Sequence, residues 1–230
     1  EMAQDSHEGA RLTRTANNAA VYTADTARDQ ILEALESSRD DVEWEQPDDI
    51  NAHAADFLAR GEVVARFDGR AEFGARALGN RSILANPSMP GVIPVINDMI
   101  KSRDFWMPFA CSILSERASD YFVNPKHIDA PYMILTFDTT GRKAEVAAGT
   151  HPHDGTIRPQ VVREDWNPGY HRLIRAFEAR TGIGALLNTS FNLHGFPIVN
   201  TPEEAIDVMR RSGLKYVSLR NYGFTKNQLL

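Results

Sequence analysis

The hydrophobic and polar positions of this chain change period along its length, and the changes divide it into elements. Residues 1–22 are polar without a sustained period, which reads as a linker or a poorly ordered lead-in. From Asp25, the run TARDQILEALESS puts Ile31, Leu32 and Leu35 on one helical face, and an acidic loop containing Pro47 follows. A second helix begins at Asp48 or Asp49, either of which can cap it. It carries Ile50, Ala54, Phe57 and Leu58 as its stripe and ends at Gly61. Both helices read as covers for a sheet.

The period then shortens. Residues 63–67 predict a strand closed by Asp68-Gly69, and 82–85 a second strand ending at Asn86-Pro87. Residues 92–103 predict a helix with Val95, Ile96, Met99 and Ile100 facing inward. Further strands are expected at 110–114, 132–137 and 157–162, with a turn at Thr139-Thr140-Gly141. Asn167-Pro168 opens a helix with a capping side chain followed by proline; Tyr170, Leu173, Ile174 and Phe177 form its stripe, and Gly182 closes it. Residues 184–187 read as a buried strand. Thr201-Pro202-Glu203-Glu204 is a capping box that opens the last helix, which Gly213 ends, and 216–219 is the final strand. Helices alternating with short strands predict an α/β or α+β class with a mixed sheet.

Composition narrows the setting. The 230 residues are 42% hydrophobic and 24% charged, which suits one domain with a real core plus an extension. A net charge of −6 argues against a general nucleic-acid or membrane-surface binder. Cys111, the one cysteine, excludes an internal disulfide and Cys-rich zinc sites; lying in an apolar run, it reads as a buried inert thiol. No apolar stretch reaches the roughly 20 residues of a membrane span and no signal peptide is visible, so a cytoplasmic setting is expected. The Glu1-Met2 start suggests a piece of something longer.

Against this acidic background, Gly69 to Ser82 alternates glycine and arginine. Glycine lets backbone approach a ligand and arginine offers a planar fork for phosphate or carboxylate, so the run predicts an anion pocket, or else a surface turn pairing its arginines with Asp68 and Glu72. It matches neither a P-loop nor a dinucleotide fingerprint. Lys101 and Arg103 close a helix, where cations also answer the helix dipole. In HPHDGTIRPQ, His151, His153 and Asp154 permit a metal reading, but a structured loop presenting Arg158 is preferred. Asn188, Ser190 and Asn192 follow a buried strand, where open α/β sheets bind ligands and where a plain Asx or Ser turn is the alternative.

Four stretches together carry a resemblance: GRAEFGARALGNRSILA, IKSRDFWMPFACSIL, HDGTIRPQ and LLNTSFNLHGFPIVNTPEEA. From about residue 62 onward the chain resembles the carboxy-terminal domain of the NodU/TobZ-type O-carbamoyltransferases. The resemblance implies a YrdC-like fold, a twisted mixed sheet flanked by helices, over residues 23–230. Lys101-x-Arg103 and Ser190-x-Asn192 are similar to the K-x-R and S-x-N signature of that fold. It further implies a site for carbamoyl phosphate and ATP, in which carbamoyladenylate forms with release of phosphate and pyrophosphate. The intermediate would then pass to an amino-terminal actin-like domain, absent from this chain, which holds a metal and carbamoylates a hydroxyl of a small molecule.

In that site Lys101 is expected as a point charge on phosphate, and Arg76 and Arg158 as forks. Asn188 and Ser190 would bond the carbamoyl group or a phosphate oxygen. Arg103, Asn192 and Arg81 are expected as direct ligands or as supports. Magnesium would come with ATP, and no protein metal site is expected. Two positions depart from the family pattern: Ala75 stands where many members have proline, and Met107 where many have an arginine that binds phosphate. A threonylcarbamoyl-AMP synthase-like enzyme shares the K-x-R/S-x-N logic, but the Gly/Arg run and HDGTIRPQ speak against it. A non-catalytic nucleotide- or RNA-binding module is disfavoured by the acidic charge.

Overall fold

A computed structural model describes residues 28–40, 42–74, 76–101 and 109–226. The expected lead-in at 1–22, Ala75, and the segment with Arg103 and Met107 lie outside the described residues. The first helix, α1, is Arg28–Glu36 and buries Ile31 and Leu35. Helix α2, Ile50–Ala59, starts where expected, because the Asp49 side chain accepts hydrogen bonds from the N–H groups of Asn51 and Ala52. Between them lies a strand, β1 (Val42–Glu45), where the sequence predicts an acidic loop. It is an edge strand whose charged residues face water, so its polar side hides its pairing.

The main sheet has eight strands. After β1 come β2 (Val64–Phe67), β3 (Arg81–Ala85) and β4 (Ala110–Leu114). Two two-residue strands, β5 (Phe137–Asp138) and β6 (Thr156–Ile157), pair apart from it. Then follow β7 (Gln160–Val162), β8 (Ala185–Ser190), β9 (Tyr216–Leu219) and β10 (Tyr222–Lys226). The order is β1-β10-β9-β2-β3-β8-β4-β7, parallel at β2/β9 and β4/β7 and antiparallel elsewhere. Strands β2, β3, β4 and β9 are buried at every position, so the middle of the sheet is covered on both faces.

Three expectations need correction. Residues 132–136 are not a strand: Met133 has φ 56°, a left-handed backbone that breaks extension, and only Phe137–Asp138 pairs. The 157–162 segment is two strands in different sheets, because Pro159 cannot donate to a ladder. And β9 is not last: Arg220, at φ 56°, turns the chain into β10, which pairs with both β9 and β1.

Helix α3 (Val92–Ile96) runs on into a π-helical turn, Asn97–Lys101. Its inward stripe is Val92, Ile96 and Ile100, whereas Val95, expected inside, is 48% exposed. A 3-10 turn at Ser115–Arg117 leads into a short helix, α4 (Ala118–Tyr121). Helix α5 (Pro168–Thr181) is capped by Asn167 and closed by Gly182 at φ 76°. Its whole predicted stripe, Tyr170, Leu173, Ile174 and Phe177, is 0% exposed, and burial of this kind is worth about 1.5–3 kcal/mol per large side chain. Helix α6 (Pro202–Arg210) carries the Thr201/Glu204 capping box and packs on α1, while α2 packs on α5. The last helix ends at Arg210 rather than Gly213, whose N–H instead reaches the Met99 carbonyl at 3.0 Å. No helix among the described residues is long and apolar enough to cross a membrane.

Candidate active site

Strand direction gathers the chemistry-bearing loops. Phe67 pairs with Arg81, Ser82 with Ser190, Ala110 with Asn188, and Ser112 with Gln160. Hence β2 and β8 end, and β3, β4 and β7 begin, at one edge of the sheet. The Gly/Arg loop enters β3 there, Arg158 precedes β7 there, and the NTSFN turn leaves β8 there. Three segments distant in sequence thus share one edge.

Lys101, carried in on the π turn, is 2% exposed. Its Nζ donates to the Ser190 carbonyl at 2.5 Å and to Asn192 Oδ1 at 2.6 Å, with the Asn192 carbonyl at 3.1 Å and Ser190 Oγ at 3.2 Å. Ser190 Oγ donates to Asn192 Oδ1 at 2.6 Å, and Asn192 Nδ2 to the Phe196 carbonyl at 2.6 Å. The K-x-R lysine and the S-x-N turn are therefore one unit, in which the ammonium organises the turn from beneath.

Arg76 and Arg158 are different. Arg76 is exposed and Arg158 half-buried, and neither has a carboxylate or a hydrogen-bond partner among the described residues. The Arg158 guanidinium is held below its ordinary pKa, first by burial and second by the charge of Arg76. Two cations that feel each other's charge, with no carboxylate partner among the described residues, are what an anion site looks like before the anion arrives.

The rest of the Gly/Arg loop is framework. Arg81 is fully buried; its Nη1 donates to the Asp68 carbonyl at 2.9 Å and its Nη2 to the Gly69 carbonyl at 3.1 Å, with the guanidinium 3.5 Å over the Phe67 ring. Of the two roles expected for it, the geometry fits support. Arg66, also buried, donates to Asp68 Oδ2 at 2.5 Å and to the Gly79 carbonyl at 3.0 Å. Glu72 pairs with no arginine among the described residues: its Oε1 accepts the N–H groups of Leu78, Asn80 and Arg81 at 2.7, 2.6 and 3.2 Å. Gly79, at φ 115°, lies flat on the Tyr170 ring, and an added Cβ would come within 2.2 Å of it.

Asn188 is 2% exposed beneath this loop. Its Nδ2 lies 2.9 Å from Ser112 Oγ and 3.2 Å from the Ala77 carbonyl, while its Oδ1 is buried with no partner among the described residues. Sequence reasoning missed Glu72, Ser112 and Gln160, since nothing local marks an isolated Glu, Ser or Gln as buried. All three lie inside stretches already singled out: Glu72 in GRAEFGARALGNRSILA, Ser112 in IKSRDFWMPFACSIL and Gln160 at the end of HDGTIRPQ.

The His151 loop is an Asx-type turn. Asp154 Oδ1 accepts from the Thr156 N–H at 3.0 Å and lies 3.1 Å from His151 Nδ1; the Thr156 N–H leads the interactions that hold the Asp154 carboxyl below its ordinary range. Among the described residues, no group of three or more His, Cys, Asp or Glu is placed to hold a metal. Cys111 is buried against Gly149, and burial pushes its thiol up to about 12. A cleft of about 900 Å³ lies at the opposite edge, lined by Glu116, Asp129, Arg163 and His171 among others, and contains none of the residues above.

Comparison with known proteins agrees with this architecture. The family described as "Carbamoyltransferase C-terminus" matches residues 55–226. The nodulation protein NolO of Bradyrhizobium diazoefficiens is 42% identical over 166 residues, 72% of this chain and 30% of that protein. A 3'-hydroxymethylcephem-O-carbamoyltransferase of Amycolatopsis lactamdurans is 39% identical over 149 residues, 65% of this chain and 28% of that enzyme. The chain thus spans less than a third of the length of either relative. Full-length HypF, solved in a phosphate- and nucleotide-bound form, superposes with a TM-score of 0.52 at 15% identity, over 81% of this chain and 22% of that one, which supports the YrdC-like fold alone. By its sequence and by its mixed, helix-flanked sheet, the chain belongs to the carbamoyltransferase carboxy-terminal domain family.

Proposed function

We propose that this domain binds carbamoyl phosphate and ATP and joins the carbamoyl group to AMP, for transfer to a small-molecule hydroxyl by a separate amino-terminal actin-like domain. The observation that carries this reading is the uncompensated pair Arg76 and Arg158 at the sheet edge that also holds the Lys101–Ser190–Asn192 unit. Two substrates rich in phosphate bring several negative charges into one place, and catalysis there is mostly alignment and charge stabilisation.

In this reading the two arginines grip phosphate oxygens as forks. Lys101 holds Ser190 and Asn192 in register and lends its charge from behind them. Asn188 Oδ1, a buried acceptor without a partner among the described residues, suits the N–H of a carbamoyl group, since an unmet buried acceptor costs about 1–3 kcal/mol. Water hydrolyses carbamoyl phosphate to carbamate and phosphate; a carbamate oxygen then bonds the α-phosphorus of ATP as its bond to pyrophosphate breaks. Magnesium enters on the ATP phosphates, which supply most of its oxygen ligands.

The test is direct. The chain, alone and together with an amino-terminal domain from a full-length relative, is supplied with ATP, carbamoyl phosphate and magnesium. Pyrophosphate release that depends on carbamoyl phosphate is expected. Absence of any product in both settings, with no ligand raising the melting temperature, would sink the reading.

A further inference from the structure

Arg76 and Arg158 sit on separate loops, and the positive charge of Arg76 acts on Arg158, so the two loops repel one another. Something must hold them at a fixed spacing. No ion pair does so among the described residues. What joins the loops to the sheet, and to each other, is a buried carboxamide cluster.

Gln160 is 1% exposed and stands two residues after Arg158, with Pro159 between them. Its Nε2 donates to the Leu78 carbonyl at 2.7 Å, two residues after Arg76. Its Oε1 accepts from Ser112 Oγ at 2.6 Å, on the neighbouring strand β4. Asn188 Nδ2, from β8, lies 3.3 Å from the same Oε1 and 3.2 Å from the Ala77 carbonyl. One side chain therefore grips the Arg76 loop by its backbone and is itself locked from two strands, while its own backbone begins the strand behind Arg158. Pro159 leaves little slack in that link.

We infer that Gln160 is a positioning residue that sets the separation of Arg76 and Arg158 at the proposed anion site, with Ser112 and Asn188 fixing its amide. The inference rests on reading that pair of arginines as an anion site. Gln160 does not touch the anion. It acts through backbone, so its removal frees the two guanidiniums to spread apart and the site loses its preformed spacing.

Isothermal titration of carbamoyl phosphate, and of inorganic phosphate in parallel, into the whole chain tests this. Gln160→Leu conserves volume and removes all three bonds. It should weaken binding about tenfold, the value of one buried hydrogen bond. In an Arg158→Gln background it should add little, because a residue acting through Arg158 has nothing left to position. Unchanged affinity, or a loss that simply adds to that of Arg158→Gln, overturns the inference. Should Gln160→Leu fail to fold, Ser112→Ala, which unlocks the Gln160 amide, is measured in the same cycle against the same two outcomes. Phosphate binding without carbamoyl-phosphate binding counts against the proposed function and leaves the positioning role to be read from phosphate. Binding of neither overturns both.

Discussion

At the scale of the residue, burial separates arginines that look alike in the sequence. Arg66 and Arg81 are spent on carbonyls and Asp68, whereas Arg76 and Arg158 are not. Arg158→Gln and Arg76→Gln should each weaken carbamoyl-phosphate binding by about tenfold or more, as loss of a charge-assisted contact predicts. Neither should lower the unliganded melting temperature, because each removes one of two mutually repelling charges. Glu72→Ala is the opposite case: three backbone N–H groups lose their acceptor, and denaturant titration should show a loss of at least about 2 kcal/mol. Cys111, with its thiol pushed up to about 12, should resist alkylation at pH 8 in the native protein and react once the chain is unfolded.

At the scale of the element, caps and stripes were readable and edges were not. Asp49, Asn167 and the Thr201/Glu204 box start their helices where their side chains say, because capping is settled within four residues. Strand β1 was hidden because its partner β10 lies some 180 residues away, so its polar outer face reads as loop. Gly79 joins the Gly/Arg loop to α5; Gly79→Ala would strain a left-handed backbone and drive Cβ into Tyr170, costing about 2 kcal/mol or more in a melting experiment. Helices α2 and α5 are also linked by Arg180 and Asp56 at 2.6 Å, and this bond leads the effects that hold the Asp56 carboxyl below its ordinary 3.8. With the folded value depressed, that contribution is present above the ordinary value and is lost as pH falls through the folded one. Asp56 is half exposed, so Asp56→Asn should cost less than about 1 kcal/mol at neutral pH, and the two stability curves should merge in acid.

At the scale of the whole molecule, the sheet order decides the site. Lys101 and Ser190 are 89 residues apart, and Gln160 and Leu78 are 82 apart, yet the mixed pairing of β2, β3, β8, β4 and β7 closes both gaps at one edge. An anion that binds there stabilises the folded chain by mass action. Carbamoyl phosphate at a hundredfold its dissociation constant should therefore add about 2.7 kcal/mol, seen as a rise in melting temperature that high salt diminishes. The same rise should be absent from the Arg76→Gln/Arg158→Gln double variant.

The amino-acid sequence by itself determined the class of fold, most helix starts and the central strands, because capping, proline and apolar period act over a few residues. Its four motifs also determined the family and pointed to Lys101, Arg158, Ser190 and Asn192. Only the tertiary structure decided that Arg66 and Arg81 are buried on carbonyls while Arg76 and Arg158 have no carboxylate partner among the described residues, that Lys101 lies beneath the Ser190–Asn192 turn, and that Gln160 ties two loops together. Those outcomes depend on which strands lie side by side, and the free energy that sets strand order is spread over the whole core and written in no single stretch of chain.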